Sequence, residues 1–174
     1  MTEFFLNNKK VKAKDDETIW TVAKREGIVL PHLCFADKPG YRADGNCRAC
    51  MVSIEGERVL AASCIRKPTE GMKVITNDER STKSRKMVLE LLVTDQPDRE
   101  TSHDPDSHFW NVASSVDVAK SRFDKREKTI VPCEDASHVA MSVNLDACIH
   151  CNLCVRACRE VQVNDVIGMG NRGH

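Results

Sequence analysis

The chain has 174 residues and 41% hydrophobic residues, which suits one ordinary domain or two small ones with a buried core. Its 26 basic and 26 acidic residues balance, so no bulk charge favours nucleic acid or an anionic membrane surface. The N-terminus lacks the apolar run of a secretory signal, and no stretch approaches the roughly 20 apolar residues of a membrane span. We therefore expect a cytoplasmic chain whose partners are other proteins, with no nucleic acid and no membrane span.

The first 78 residues predict a small α+β domain. Two short apolar–polar alternations, EFFLNN and KKVKAK, predict a β-hairpin around Asn7 and Asn8. The segment DDETIWTVAKREGI has helical apolar spacing, acidic residues in its predicted first turn, and Gly27 placed to cap its end. A long loop follows, and then MVSIEG, GERVLAASC and MKVIT predict three strands. Such a long loop inside a compact domain is usually functional.

Nine cysteines are the main chemical feature of the sequence. A reducing compartment disfavours structural disulfides, and an odd number cannot all pair, so metal ligation is the leading interpretation. The cysteines form two groups of four, with Cys133 alone between them: Cys34, Cys47, Cys50 and Cys64, and then Cys148, Cys151, Cys154 and Cys158. This distribution predicts two metal-binding segments.

The first group has the spacing C-x12-C-x2-C-x13-C. Four soft thiolates select zinc or an iron–sulfur cluster, and the spacing alone does not separate these two. One close pair with two distant single ligands is unlike the two paired knuckles of structural zinc sites. A 2Fe-2S cluster fits better, because each of its irons takes two thiolates. Zinc and plain buried structural cysteines remain the alternatives.

The stretch LPHLCFADKPGYRADGNCRACMVSIEGERVLAASCIRKPTEGMKVIT resembles the 2Fe-2S domain at the start of the large iron–sulfur subunit of respiratory complex I. It also resembles the matching domain of NAD-linked hydrogenases and formate dehydrogenases. The resemblance implies a β-grasp fold like that of plant-type ferredoxin, with an expanded first gap. It implies that Gly45 and Ala49 let the backbone approach the sulfides, and that four residues ligate the cluster: Cys34, Cys47, Cys50 and Cys64.

Residues 79–139 predict a helix followed by a loop and linker. The segment NDERSTKSRKMVLELLV predicts an amphipathic packing helix with one apolar stripe: Met87, Val88, Leu91 and Leu92. In the resembled family this helix leads into a loop, His-x3-Cys-x2-Cys-x5-Cys, that holds a 4Fe-4S cluster. The corresponding loop here, TDQPDRETSHDPDSHFW, contains no cysteine, and the ligand positions fall on Asp95, Arg99, Ser102 and His108. We therefore expect no cluster in this loop.

Other residues in this part could ligate a metal, namely His103, Asp104, His108 and Cys133, but simpler roles are favoured. His103 and His108 lie among Asp, Ser and Pro, where histidines usually form turns and surface hydrogen bonds. Cys133 is interpreted as a lone thiol, although His138 lies close to it in sequence.

Residues 140–174 contain the run C-x2-C-x2-C-x3-C, which bacterial ferredoxins use for 4Fe-4S clusters. In a two-cluster ferredoxin the first three cysteines bind one cluster and the fourth binds the other. On this rule Cys148, Cys151 and Cys154 ligate one 4Fe-4S cluster, and Cys158 belongs to a second. No second run follows in the sequence, so we interpret this segment as the truncated first half of a ferredoxin-type domain. We expect the sequence to be the N-terminal fragment of a longer polypeptide, and the alternative is a truncated protein that binds only the first cluster.

The stretches CVRACREVQVNDVIGMGNRG and LLVTDQPDRETSHDPDSHFW most resemble the α subunit of cytoplasmic, NAD-dependent formate dehydrogenases that contain molybdenum or tungsten. The resemblance implies an electron-transfer module between a pterin active site, outside these residues, and diaphorase partner subunits that carry flavin and NAD. It places no substrate-converting residue within the 174. The alternatives are the equivalent module of an NAD-linked hydrogenase or complex I relative, and a non-redox zinc or iron scaffold.

Overall fold

The computed structural model describes residues 1–125 and 134–170. It divides the chain into two compact units. The first unit combines Met1–Arg85 with Cys151–His174, and the second is Lys86–His150. This division differs from the predicted boundaries after residues 78 and 139, because the segment that carries the last three cysteines belongs with the first unit. The predicted domain limits stay a prediction.

A mixed five-stranded sheet and one helix form most of the first unit. The elements are β1 (Thr2–Leu6), β2 (Lys9–Ala13), α1 (Ile19–Arg25), β3 (Met51–Ile54), β4 (Ala61–Ala62) and β5 (Lys73–Ile75). The strand order is β2-β1-β5-β3-β4; β1 pairs in parallel with β5, and the other neighbours are antiparallel. The α+β prediction is confirmed for this unit, although the fourth strand is only two residues long.

Local sequence explains the hairpin and the helix. Asn7 and Asn8 have φ angles of 50° and 67°, the left-handed pair that a tight two-residue hairpin turn needs and that Asn tolerates. Helix α1 starts after Thr18, whose side-chain oxygen accepts a hydrogen bond from the Thr21 N–H at 3.3 Å. The predicted acidic first turn is wrong, because the acidic residues precede this cap. Gly27, with φ of 78°, follows the helix as predicted.

The core lies where α1 packs against the sheet. Its large, deeply buried apolar side chains, each at most 1% exposed, include six from α1, β1, β3 and β5: Phe4, Leu6, Ile19, Val22, Val52 and Val74. Their alternation along β1 is that of a sheet with one face buried. This packing fixes the strand ends from which the cysteine loops depart.

We expect Phe4→Ala to lower the free energy of unfolding of the first unit by about 3–5 kcal/mol, because it leaves a cavity in a fully buried position. The matched control is Phe5→Ala, on the same strand but only partly buried, which should cost less. Urea denaturation followed by circular dichroism measures both variants. Equal losses would contradict the assignment of Phe4 to the core.

Helix α2 (Glu79–Thr94) forms as predicted, but its buried face differs from the predicted stripe. Leu91 is 50% exposed, whereas four of the five buried positions, with Glu90 as the fifth, recur every fourth residue: Ser81, Arg85, Leu89 and Val93. Two of these four are polar and are satisfied locally, since the Ser81 hydroxyl (3.4 Å) and the Arg85 guanidinium both donate to the Thr76 carbonyl. Apolar residues alone therefore pointed to the wrong face.

The second unit contains a short 3-10 turn (Arg99–Thr101), helix α3 (His108–Ser115) and an antiparallel pair of strands, β6 (Glu134–His138) and β7 (Met141–Asn144). The predicted loop after α2 thus already includes the start of α3.

In the first unit, helix α4 (Leu153–Arg156) continues into a π-helical turn (Ala157–Val161). Within the described part of the chain, no helix has the length and apolar character to cross a membrane.

Candidate iron–sulfur site

The first four cysteines lie on loops at one side of the sheet. Cys34 lies in the long connection after α1, Cys47 and Cys50 directly precede β3, and Cys64 follows β4. Cys34 and Cys50 are completely buried, Cys64 is 2% exposed, and Cys47 is half-buried. A neutral buried thiol packs as a small apolar group, whereas a buried thiolate is stable only with a specific partner.

The four thiols are in hydrogen-bonding contact with one another. Cys34 bonds to Cys47 and to Cys64, and Cys64 also bonds to Cys50. The hydrogen bonds from Cys47 and Cys64 lower the pKa of Cys34, and the one from Cys64 lowers the pKa of Cys50 to about 6. The donors respond in the opposite direction, since the pKa values of Cys47 and Cys64 are raised. The sulfurs form two bonded pairs joined through Cys34 and Cys64.

This donor set fits a cluster of two irons. The four thiols form one connected group, in the order Cys47, Cys34, Cys64 and Cys50, and together supply the two thiolates that each iron of a 2Fe-2S cluster requires. The ligand roles of these cysteines remain a proposal.

Backbone amides point at the sulfurs. The Cys47 N–H donates to the Cys34 sulfur at 3.4 Å, and the Asn46 N–H also bonds to it. The Ala49 N–H bonds to the Cys47 sulfur, and the Cys64 N–H bonds to the Cys50 sulfur. Such donors stabilise the thiolate form and tune a bound cluster.

Side chains that sequence reasoning did not single out hold these loops in place. Ser63, fully buried, donates its hydroxyl to the Cys50 carbonyl at 2.7 Å. The Trp20 indole N–H donates to the Leu30 carbonyl at 3.2 Å. The indole ring packs edge-to-face against the rings of His32 and Phe35, with ring centroids 4.8 and 4.9 Å apart. Trp20 thus supports the chain on both sides of Cys34. Nothing in the sequence around Trp20 indicated this role.

Gly45 is favoured for two structural reasons, and the close approach to the sulfides that the resemblance implies stays a prediction. Its φ of 65° lies in the left-handed region, and an added Cβ would lie 2.7 Å from Cδ1 of Ile65. Ile65 directly follows Cys64, so the contact joins the loop of Cys47 to the loop of Cys64. Ala49, also singled out from the sequence, is completely buried, and its N–H bonds to Cys47.

We expect Gly45→Ala to lower the melting temperature more than Gly56→Ala. Gly56 has a φ of 84° but open space around it, so its substitution measures the backbone cost alone, about 1–2 kcal/mol. The excess at Gly45 comes from the contact with Ile65. Adding Ile65→Ala to Gly45→Ala should recover that excess in thermal denaturation. Equal melting temperatures for the two alanine variants would show that the contact with Ile65 does not contribute to stability.

The C-terminal cysteines fall in both units. Cys148 belongs to the second unit, whereas Cys151, Cys154 and Cys158 belong to the first, on and around α4. Cys154 is exposed and the other three are half-buried. The Cys158 sulfur accepts a hydrogen bond from the Val166 N–H at 3.4 Å. Ligation of 4Fe-4S clusters by this run stays a prediction.

Arg99 organises the loop in which no cluster is expected. Its guanidinium donates to the Pro105 carbonyl at 2.7 Å and to the Ser114 hydroxyl at 2.8 Å, and Ser102 donates to the Arg99 carbonyl at 2.8 Å. His103 is exposed and lies 3.3 Å from a Glu134 carboxylate oxygen. These are turn and surface contacts, and the expected absence of a cluster stays a prediction.

The remaining predicted residues of this part have local roles or lie outside the description. His108 is exposed and begins α3. The His138 ring accepts a hydrogen bond from the Ala140 N–H at 3.1 Å, within the turn between β6 and β7. Cys133 lies outside the described residues.

Comparison with known proteins identifies the first of the predicted segments. Residues 1–79 match the family model described as a 2Fe-2S iron–sulfur cluster binding domain. This match contains all four cysteines of the buried group. It ends before the C-terminal run.

Relatives extend over nearly the whole chain. A subunit of the NADP-reducing hydrogenase of Solidesulfovibrio fructosivorans is 29% identical over 178 residues, which are 99% of this chain and 30% of that protein. The mitochondrial 78 kDa subunit of NADH-ubiquinone oxidoreductase from Candida albicans is 28% identical, over 99% of this chain and 24% of that protein. The chain thus spans less than a third of the length of these relatives.

A solved structure has the same fold. The crystal structure of an NAD+-reducing NiFe-hydrogenase in its H2-reduced state superposes with a TM-score of 0.83 and 26% identity. The match covers 99% of this chain and 71% of that one. Residues 1–79 are therefore a 2Fe-2S iron–sulfur cluster binding domain, in a chain homologous to subunits of NADH-ubiquinone oxidoreductase and of NAD(P)-linked hydrogenases.

Proposed function

We propose that the chain is an iron–sulfur electron-transfer module of an NAD-linked oxidoreductase. The observation that supports it most is the group of four thiols in mutual contact inside a domain of the 2Fe-2S family. A bound 2Fe-2S cluster supplies one-electron transfer. The proposed ligands are the four cysteines of that group: Cys34, Cys47, Cys50 and Cys64.

The cysteines of the site differ in their exposure to solvent and therefore in their proposed roles. The complete burial of Cys34 and Cys50 excludes water from most of the ligand set, which stabilises the cluster against hydrolysis. Cys47 is half-buried and its neighbours Asn46 and Arg48 are exposed, so this ligand lies closest to solvent. We infer that electrons enter or leave through the Cys47 side, where a partner can approach.

The C-terminal run extends the proposal to 4Fe-4S chemistry. In this proposal a β-grasp 2Fe-2S domain at 1–78 is joined by a helix and linker at 79–139 to a ferredoxin-type segment at 140–174. Cys148, Cys151 and Cys154 would hold one cubane and Cys158 would contribute to a second. The four-cysteine spacing supports this assignment, since zinc sites do not use three thiols so tightly spaced.

Two parent enzymes remain in the proposal. The stretches around the C-terminal run and after α2 support the α subunit of a cytoplasmic formate dehydrogenase, with a pterin-containing catalytic part and flavin- and NAD-binding diaphorase subunits as partners. The names of the relatives support a second candidate, an NAD-linked hydrogenase or complex I relative. In both, the chain passes electrons between a catalytic part and a nicotinamide-linked partner.

Metal and sulfide analysis of anaerobically purified protein tests the core of the proposal. We expect about two irons and two acid-labile sulfides from the first domain, with a rhombic EPR signal on reduction. Iron bound at the C-terminal run adds to this count. Stoichiometric zinc without sulfide would contradict the electron-transfer role and support a structural scaffold instead. Assay of formate and hydrogen oxidation in the purified complex distinguishes the two parent enzymes.

A further inference from the structure

One arginine of the C-terminal cysteine segment is inserted into the loop that carries Cys34. Arg156 lies between Cys154 and Cys158 in sequence, and it is only 4% exposed. Its guanidinium donates hydrogen bonds to the Cys34 and Arg42 carbonyls, and to the Cys151 carbonyl at 3.4 Å. All of these residues belong to the first compact unit. Arg156 therefore connects the backbone of both cysteine segments.

Charged neighbours complete this connection. Nε of Arg156 lies 3.1 Å from a carboxylate oxygen of Asp44, although the N–H is not aligned for a hydrogen bond. Asp44 also pairs with Arg42 at 2.6 Å, and Arg42 pairs with Glu160 at 2.9 Å. Two cations and two anions thus alternate between the Cys34 loop and the C-terminal segment. Beside them, Val161 packs close to Gly40.

The position is demanding for a charged side chain. A buried guanidinium is stable only when its donors are satisfied and its charge is paired, and removing a partner of such a group is strongly destabilising. The planar guanidinium of Arg donates to separate carbonyls from separate nitrogens in a fixed geometry, whereas the ammonium of Lys must reach them from one flexible nitrogen. The loop between Cys34 and Cys47 contains no helix or strand of its own. Its fixed geometry therefore depends on partners such as Arg156.

We propose that Arg156 is a positioning residue for the 2Fe-2S centre: it fixes the Cys34 loop and holds a buried positive charge beside the Cys34 backbone. This inference depends on the proposed role of Cys34 as a ligand. Reduction adds one electron to the cluster, so a nearby cation stabilises the reduced form and raises the reduction potential. The C-terminal cysteine segment thereby sets the potential of a centre ligated by the other cysteine group.

The test is an EPR-monitored redox titration of the full chain, purified anaerobically, with four variants. Arg156→Gln should shift the 2Fe-2S potential to lower values and broaden its EPR signal. Arg156→Lys keeps the charge and should restore the potential towards that of the wild type. Asp44→Asn removes the opposing carboxylate and should raise the potential. The matched control, Arg159→Gln, removes the same charge from an exposed residue that pairs with Asp165, and should leave the potential unchanged.

The outcomes separate this inference from the proposed function. Wild-type protein without a 2Fe-2S signal would overturn the proposed function itself. A wild-type signal with unchanged potentials in Arg156→Gln and Asp44→Asn would overturn only the role of Arg156. If Arg156→Gln is recovered without a cluster, Asp44→Asn decides: a raised potential supports the inference, and an unchanged one overturns it. An equal shift in Arg159→Gln would show that any charge on this segment acts, and would also overturn it.

Discussion

The Cys47→Ser variant is expected to lose the visible absorption of the 2Fe-2S cluster and the EPR signal of its reduced form. Each iron takes two thiolates, and Cys47 is one member of the bonded pair with Cys34. A serine hydroxyl ionises far less readily than a thiol and is a harder ligand, so it replaces the thiolate poorly. Absorption and EPR spectroscopy of the anaerobically purified variant measure the loss.

The design separates ligand loss from unfolding. Cys47 is only half-buried, so circular dichroism of the variant should retain the wild-type content of helix and strand. Lys38→Ser, at an exposed position of the same loop, is the matched control and should keep the full cluster signal. Retention of the wild-type spectrum in Cys47→Ser would remove Cys47 from the ligand set. Cys34→Ser should have at least as large an effect, since Cys34 contacts two of the other thiols.

Local features of the first domain were predictable because their causes are local in sequence. The Asn7–Asn8 pair specifies a left-handed turn, and the hairpin forms there with Phe4 opposite Val11. Gly27 ends α1 for the same kind of reason, because only glycine adopts its backbone conformation without strain. The spacing of the first cysteines also indicated a shared site, and the structure brings those four thiols into contact.

Features that depend on distant partners were not predictable. On α2 the buried face includes Ser81 and Arg85, whose burial is possible only because the Thr76 carbonyl accepts their hydrogen bonds. A pattern of apolar residues cannot predict that two polar side chains are buried with their hydrogen bonds formed. Likewise, nothing in CVRAC distinguishes Arg156 from a solvated surface cation until the fold brings the Cys34 carbonyl, more than a hundred residues earlier in sequence, to its guanidinium.

The C-terminal run provides the other large expected effect. After anaerobic reconstitution with ferrous iron and sulfide, Cys154→Ser should lose about three to four irons relative to the wild type, because the tight x2 spacings place its thiol in the first cubane. Cys158→Ser should keep that cluster, since the fourth cysteine of such a run ligates a different one. Both variants should retain the 2Fe-2S signal, which serves as the internal control for folding.

Iron counting together with EPR of the reduced proteins decides between two divisions of these cysteines. In the described structure Cys158 follows α4 and its sulfur accepts a hydrogen bond from Val166, while Cys154 is exposed on α4 itself. These different surroundings support separate roles. If Cys158→Ser loses as much iron as Cys154→Ser, all four thiols serve a single cubane, and the assignment of Cys158 to a second cluster is wrong. If neither variant loses iron, the run holds no cluster, and the electron-transfer function is confined to the 2Fe-2S domain.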